Sequence, residues 1–335
     1  MLMMRFALVA KAPSIALTFQ DVSPRQIARM NSHQPPRPTE PAILEFLDIC
    51  DGFYPPDAVD AAIAQQRAWY DALCARFDRL QPEGMVTEDS RIGAVAIRRY
   101  RPAAIRTQTL LQYIHGGGFV VGSLQSHHAI CAEIADHVGA ELVSVDYRLA
   151  PEHVWPAQTD DCFAVLTHLL ADGRKVVLIG DSAGGNLAAG LAIRARDSGL
   201  TGIVGQALVY PALGGDLVSG SYAEMAEAPG LTTADVAYYR AVLQAPADDV
   251  VAYPLLSASL VGLPPAYITV AHFDPLRDDG WHYAERLRQA GVEATFRDEP
   301  QMVHAWLRAR HMSEGARRGF DALCDAIAGM AGVSG

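Results

Sequence analysis

KVVLIGDSAGGNLAAGLAIRAR, residues 175–196, is where this chain declares its architecture. Val176 to Ile179 are apolar at consecutive rather than alternating positions, the pattern of a strand buried on both faces of a parallel sheet. The alanine- and leucine-rich run from Ala183 onward favours a helix. Between them, Gly180-Asp181-Ser182-Ala183-Gly184 fits a sharp strand-to-helix elbow. Such a turn holds the serine hydroxyl up at the carboxyl edge of the sheet, and its flanking glycines let strand and helix pack closely.

A serine hydroxyl is a poor nucleophile until a base accepts its proton, and the base needs a carboxylate to fix its tautomer and stabilise its charge. Behind an elbow of this kind the chain order is serine, acid, histidine. In ITVAHFDPLRDDGWHYAERL, Asp274 lies just past an apolar strand and before a helix, at the sheet edge where Ser182 also emerges. Asp278 and Asp279 fall a turn later, where they are expected to start the helix and meet its dipole. Of the later histidines, His282 belongs to an amphipathic helix and His311 to an arginine-rich terminal stretch. His304 stands in DEPQMVHAW, a loop between the last strand and the last helix, and is the candidate base.

Three consecutive glycines follow another apolar run, LLQYI, in HGGGFVVGSL, residues 115–124. A serine attacking an ester carbonyl creates an oxyanion, and each pre-placed donor lowers the barrier by ~2.7–4 kcal/mol. Bare glycine amides can approach that oxygen where side chains would obstruct it. Gly116 and Gly117 are expected as donors with the amide of Ala183, and Gly118 as the turn. His115 precedes the serine in chain order and is expected to brace the loop, not to act as base.

Other short apolar runs, AVAIRRY, ELVSVDY, IVGQALVY, AYITVA and EATFRD, predict an α/β chain with a largely parallel sheet. Residues 1–40 read as an N-terminal extension and lead-in, the first 29 of them as an extension from an upstream start codon. Residues 41–90 read as a helical cap segment, with a helix from Ala58 to Leu80 presenting Val59, Ile63, Tyr70, Leu73, Phe77 and Leu80 on one face. Residues 91–335 are the catalytic domain. Within it, 211–263 exceeds the needs of a crossover and is expected to insert into the cap, with a helix from about Thr233.

HGGG, DYRLAPE at Asp146–Glu152, GDSAGGNLA, DPLRD and HAW stand in the order typical of the hormone-sensitive lipase family of esterases, which this chain resembles from about Leu110 to its C-terminus. The resemblance implies an α/β-hydrolase fold with a mostly parallel eight-stranded sheet flanked by helices under a helical cap, carboxylesterase activity on short acyl chains, and no cofactor. DYRLAPE is then chiefly a structural segment near the oxyanion loop. A small-molecule deacetylase or amidase on the same fold is the alternative. A non-catalytic ligand receptor on this scaffold would lack the triad histidine, which is present here.

Among 335 residues carrying a net charge of −11 there is no long basic run, which argues against nucleic acid or an anionic membrane surface as partner. The expected partner is a small-molecule ester, and a homodimer stays open. MLMMRFALVAKAPSIALTF is too interrupted by Arg5, Lys11 and Pro13 for a signal or a membrane span. Five scattered cysteines, with no CxxC, read as thiols in a reducing, cytoplasmic setting. His127-His128 lacks a further ligand at metal spacing, so no metal is expected.

Overall fold

The computed structural model describes residues 36–55 and 61–333. Its centre is a sheet of β1 (Val86–Ile92), β2 (Val95–Arg101), β3 (Leu110–Ile114), β4 (Leu142–Asp146), β5 (Val176–Asp181), β6 (Ile203–Val209), β7 (Ala266–Phe273) and β8 (Ala294–Val303). The spatial order is β1-β2-β4-β3-β5-β6-β7-β8. The β1–β2 and β2–β4 pairs are antiparallel and the rest parallel. Every residue of β3 and β5 is buried, including Gln112, whose Nε2 donates to the Cys162 carbonyl, and Asp181.

Helices cover both faces. On one side α1 (Pro41–Asp51), α3 (His128–Val138) and α9 (Glu314–Met330) close a core that includes Phe46, Ile134, Trp306 and Leu323. On the other, α4 (Ala157–Leu170), α5 (Ala183–Asp197) and α8 (Arg277–Gln289) bury Leu166, Leu187 and Leu287. The crossovers after β3 and β5 depart to opposite sides of this centre. Their carboxyl ends therefore open a crevice, the usual ligand position in such a sheet.

Three more helices lie over that edge: α2 (Ile63–Arg76), α6 (Gly220–Glu224) and α7 (Thr233–Leu243). The last begins where the sequence places it, because Thr232 and Asp235 form a reciprocal capping box. Ile63 and Tyr70 of α2 and Tyr239 and Val242 of α7 meet on Val120, Val121 and Ala150. No helix among the described residues is long and apolar enough to cross a membrane.

Two expectations need correction. A cap segment ending at residue 90 cuts through β1, whose sequence VTEDSRI has an exposed face and one pairing partner, and so carries no apolar signature. Gly93 at φ +58° sits in the tight connection to β2 and lets the hairpin close. The helix expected over 58–80 runs only from Ile63 to Arg76, and Leu80 is 98% exposed instead of packed. Val59 and the first 29 residues lie outside the described residues.

Candidate active site

Ser182 sits at φ +54°, ψ −117°, a conformation a side-chain-bearing residue enters only when its surroundings impose it. Its N–H donates to the Val209 carbonyl at 2.9 Å. A Cβ on Gly184 would lie 1.9 Å from the Ile114 oxygen, and one on Gly180 would lie 2.2 Å from the Gly184 oxygen. Only glycines allow β3, β5 and α5 to converge and push the serine outward.

Asp274 leaves the end of β7 and is fully buried, its Oδ1 accepting from the Leu276 N–H at 2.9 Å. The Oδ2 atom is 2.7 Å from His304 Nδ1, and His304 Nε2 is 2.9 Å from Ser182 Oγ. A proton on Nδ1, donated to the carboxylate, leaves Nε2 to accept from the serine hydroxyl. Tyr210 packs its ring 4.6 Å from that of His304 and holds the imidazole in place. The three residues singled out from the sequence are thus brought together in one line.

The neighbouring aspartates serve the insertion. Asp279 is buried and accepts from the N–H groups of Leu213, Gly214 and Gly215 and from the Tyr222 hydroxyl. Burial raises its carboxyl to about 6 despite those donors. Asp278 accepts from the Ser221 N–H at 2.8 Å and pairs with Arg277. Both stand in the first turn of α8, as expected, but their oxygens pin loops that are distant in sequence.

Gly116, expected as an oxyanion donor, is corrected. Its N–H donates to Asp181 Oδ1 at 3.0 Å, and an amide already bound to a full charge has no proton for a second acceptor. Gly117, Gly118 and Ala183 border the cavity beside Ser182, and Gly116 does not. The turn extends over Gly117 (φ +121°), Gly118 (φ +59°) and Phe119 (φ +65°). Gly118 must be glycine because a Cβ there would meet the Tyr239 ring at 2.3 Å. His115 does brace the loop: Nδ1 lies 2.9 Å from the Gly116 carbonyl, and its own carbonyl accepts from Tyr147 of DYRLAPE at 2.8 Å. Burial, together with the neighbouring His127, pushes its imidazole down to about 3, so it stays neutral. Glu152, ending the same motif, pairs at 2.7 Å with Arg67 of α2, whose Nε donates to the Val120 carbonyl at 2.8 Å.

Asp181 is the largest feature that sequence reasoning missed. Oδ1 also accepts from the Tyr113 hydroxyl at 2.8 Å, and Oδ2 lies 3.4 Å from His127 Nε2. Burial by itself would raise the carboxyl, yet His127, Arg308 and Tyr113 together hold it well below the usual carboxylate range. The available signal was an ionisable residue at the end of a buried strand, a position that demands partners. His128, the other half of the histidine pair, is 3.2 Å from the Tyr100 hydroxyl. A cavity opens over Ser182, walled by Tyr70, Leu231, Val236 and Tyr239.

The chain belongs to the alpha/beta hydrolase fold family, whose sequence pattern matches residues 111–308. Esterase LipI of Mycobacterium tuberculosis is 40% identical over 233 residues, covering 65% of this chain and 73% of the relative. Carboxylesterase NlhH of the same species is 39% identical over 252 residues, covering 70% and 79%. The crystal structure of EstE1, a thermophilic carboxylesterase cloned from a metagenomic library, superposes with a TM-score of 0.74 at 30% identity, covering 83% of this chain and 99% of that one. These relatives are named esterase and carboxylesterase, the class that the order of the sequence motifs implies.

Proposed function

We propose that this chain is a carboxylesterase that hydrolyses short-chain carboxylic esters through an acyl-enzyme on Ser182. The observation that carries the reading is the unbroken line of hydrogen-bonding atoms from Asp274 through His304 to Ser182. Relatives named esterase and carboxylesterase support the ester-hydrolase class. In the first half-reaction Ser182 Oγ attacks the carbonyl carbon while His304 Nε2 takes its proton, and Asp274 stabilises the imidazolium that results. The carbonyl oxygen, now an anion, settles among the amides of Gly117, Gly118 and Ala183. His304 returns the proton to the departing alkoxide. Water then attacks the acyl carbon by the same route, regenerating the serine.

Helix α2 and residues of the 211–263 segment, α7 among them, act as the cap. With Tyr70 of α2 and Tyr239 of α7 in its wall, the pocket is bounded, which supports acyl chains of about two to eight carbons. All five cysteines are buried thiols, consistent with a reducing compartment, the cytoplasm.

Two measurements test the reading. Fluorophosphonate labelling followed by mass spectrometry should mark Ser182, and Ser182→Ala should lose both label and turnover while staying folded. Initial rates on p-nitrophenyl esters from acetate to palmitate should peak among the short chains. A label on Ser126 or Ser257, or vigorous interface-activated hydrolysis of emulsified triglyceride, would overturn it.

A further inference from the structure

Arg308 comes from the short helical turn Trp306–His311 that follows His304, and it borders the pocket. It is 5% exposed. One Nη2 atom donates to the Tyr70 hydroxyl at 2.7 Å and lies 3.4 Å from His127 Nε2, and the Nε–H has no partner. Its guanidinium carbon is 5.2 Å from the centre of the Tyr70 ring. The Cys74 thiol is a further polar neighbour, and the pocket wall beside it is made of Phe46, Cys50 and Leu73, which offer no charge.

A guanidinium in such surroundings has lost its water and needs a countercharge or a full set of acceptors. Among the described residues no carboxylate reaches salt-bridge distance of it. The nearest anion of this network, Asp181, is engaged with Tyr113, Gly116 and His127. By contrast, the buried Arg310 two residues later is paired with Glu133. The chain satisfies the arginine that faces the protein and leaves under-satisfied the one that borders the cavity.

We propose that the natural substrate is an ester bearing a second, ionised carboxylate, which seats on Arg308 with the Tyr70 hydroxyl beside it. This rests on the esterase reading above and adds the substrate class. A planar carboxylate matches the forked donors of a guanidinium, and the low polarity around Arg308 strengthens the pairing. The carboxylate could sit on either arm of the ester: a half-ester of a dicarboxylic acid brings it on the acyl arm, an acylated hydroxy acid on the alcohol arm. The reaction is unchanged, with one ester C–O bond broken and water consumed.

The test uses the full chain and two matched pairs followed by pH-stat: monoethyl succinate against ethyl isohexanoate for the acyl arm, and acetoxypropanoate against isopentyl acetate for the alcohol arm. On the arm that reaches Arg308, the acidic member should show a kcat/KM roughly 10-fold or more above its neutral isostere. Arg308→Met should collapse that ratio by roughly 10- to 100-fold, and Arg308→Lys should retain part of it. Because the ratio is taken within one protein, a partly misfolded variant does not distort it. Neutral esters preferred on both arms, or a ratio that Arg308→Met leaves unmoved, would overturn the proposal and leave Arg308 as a brace for Tyr70 and His127. No turnover of either neutral ester, with Ser182 unlabelled, would sink the esterase reading itself.

Discussion

Replacing Asp181 by asparagine probes the connection between the buried charge cluster and the catalytic turn. Asparagine keeps an oxygen for Tyr113 and Gly116 but removes the charge that both donors face, at 2.8 and 3.0 Å. Hydrogen bonds to a charged group contribute about 1.5–3 kcal/mol and neutral ones about 0.5–1.5, so two such exchanges cost about 2–3 kcal/mol. Arg308 and His127 also lose the anion nearest to them, and breaking a buried charge arrangement from one side costs about 3–5 kcal/mol. These contributions overlap, and the expected loss is about 3–5 kcal/mol at neutral pH, read by urea unfolding. The depressed carboxyl adds a pH signature. Its folded-state value lies below the unfolded one near 3.9, so its stabilisation is complete above that value and is lost as pH falls toward the folded one. The gap between wild type and Asp181→Asn should therefore hold from pH 7 to about 5 and narrow below about 4. Because Gly116 anchors the glycine loop, turnover of p-nitrophenyl butyrate should fall as well, by up to the ~10²–10³ that one displaced oxyanion donor costs. A variant that unfolds at the wild-type urea concentration and keeps its kcat would refute the assignment of Asp181 as anchor of the loop.

Asp274→Asn should lower kcat by about four orders of magnitude through loss of the correct imidazole tautomer, whereas Asp279→Asn should register in urea midpoint more than in kcat. Gly118→Ala has a different failure, a Cβ placed 2.3 Å from the Tyr239 ring together with a positive φ, so kinetics and thermal unfolding should both suffer, and Tyr239→Ala in the same chain should restore part of the loss. Asp235 titrates in the opposite sense to Asp181: burial raises its carboxyl to about 6, so its contribution is most favourable below the unfolded value near 3.9 and is lost as pH rises through 6. Asp235→Asn should accordingly match wild type near pH 4 and be the more stable by about 1–3 kcal/mol at pH 8, measured by urea unfolding at both.

The meeting of Ser182, Asp274 and His304, the proposed nucleophile, acid and base, was legible because each depends on local sequence: an elbow flanked by glycines, an aspartate one residue past a buried strand, a histidine in the loop before the last helix. Their relative order along the chain does the rest, since parallel strands deliver all three to one edge of the sheet. The parallel core was readable for the same reason, as strands buried on both faces cannot hide their apolar runs. β1 escaped because an edge strand with an exposed face needs no such run.

What no local pattern could supply is the identity of the partner across the fold. Three adjacent glycines look alike in sequence, and only the arrival of Asp181 from a neighbouring strand decides that Gly116 is occupied while Gly117 and Gly118 face the cavity. Arg308 belongs to a helical turn that looks structural, until the fold carries Tyr70 to it across 238 residues and leaves its charge at the pocket wall. Sequence by itself determined which groups meet in the Asp274–His304–Ser182 line, because backbone geometry and hydrophobic periodicity act over a few residues. Tertiary structure alone decided which amides are free, which charges are balanced and what the pocket is built to attract, because hydrogen bonds and desolvation act between groups that only folding brings within reach.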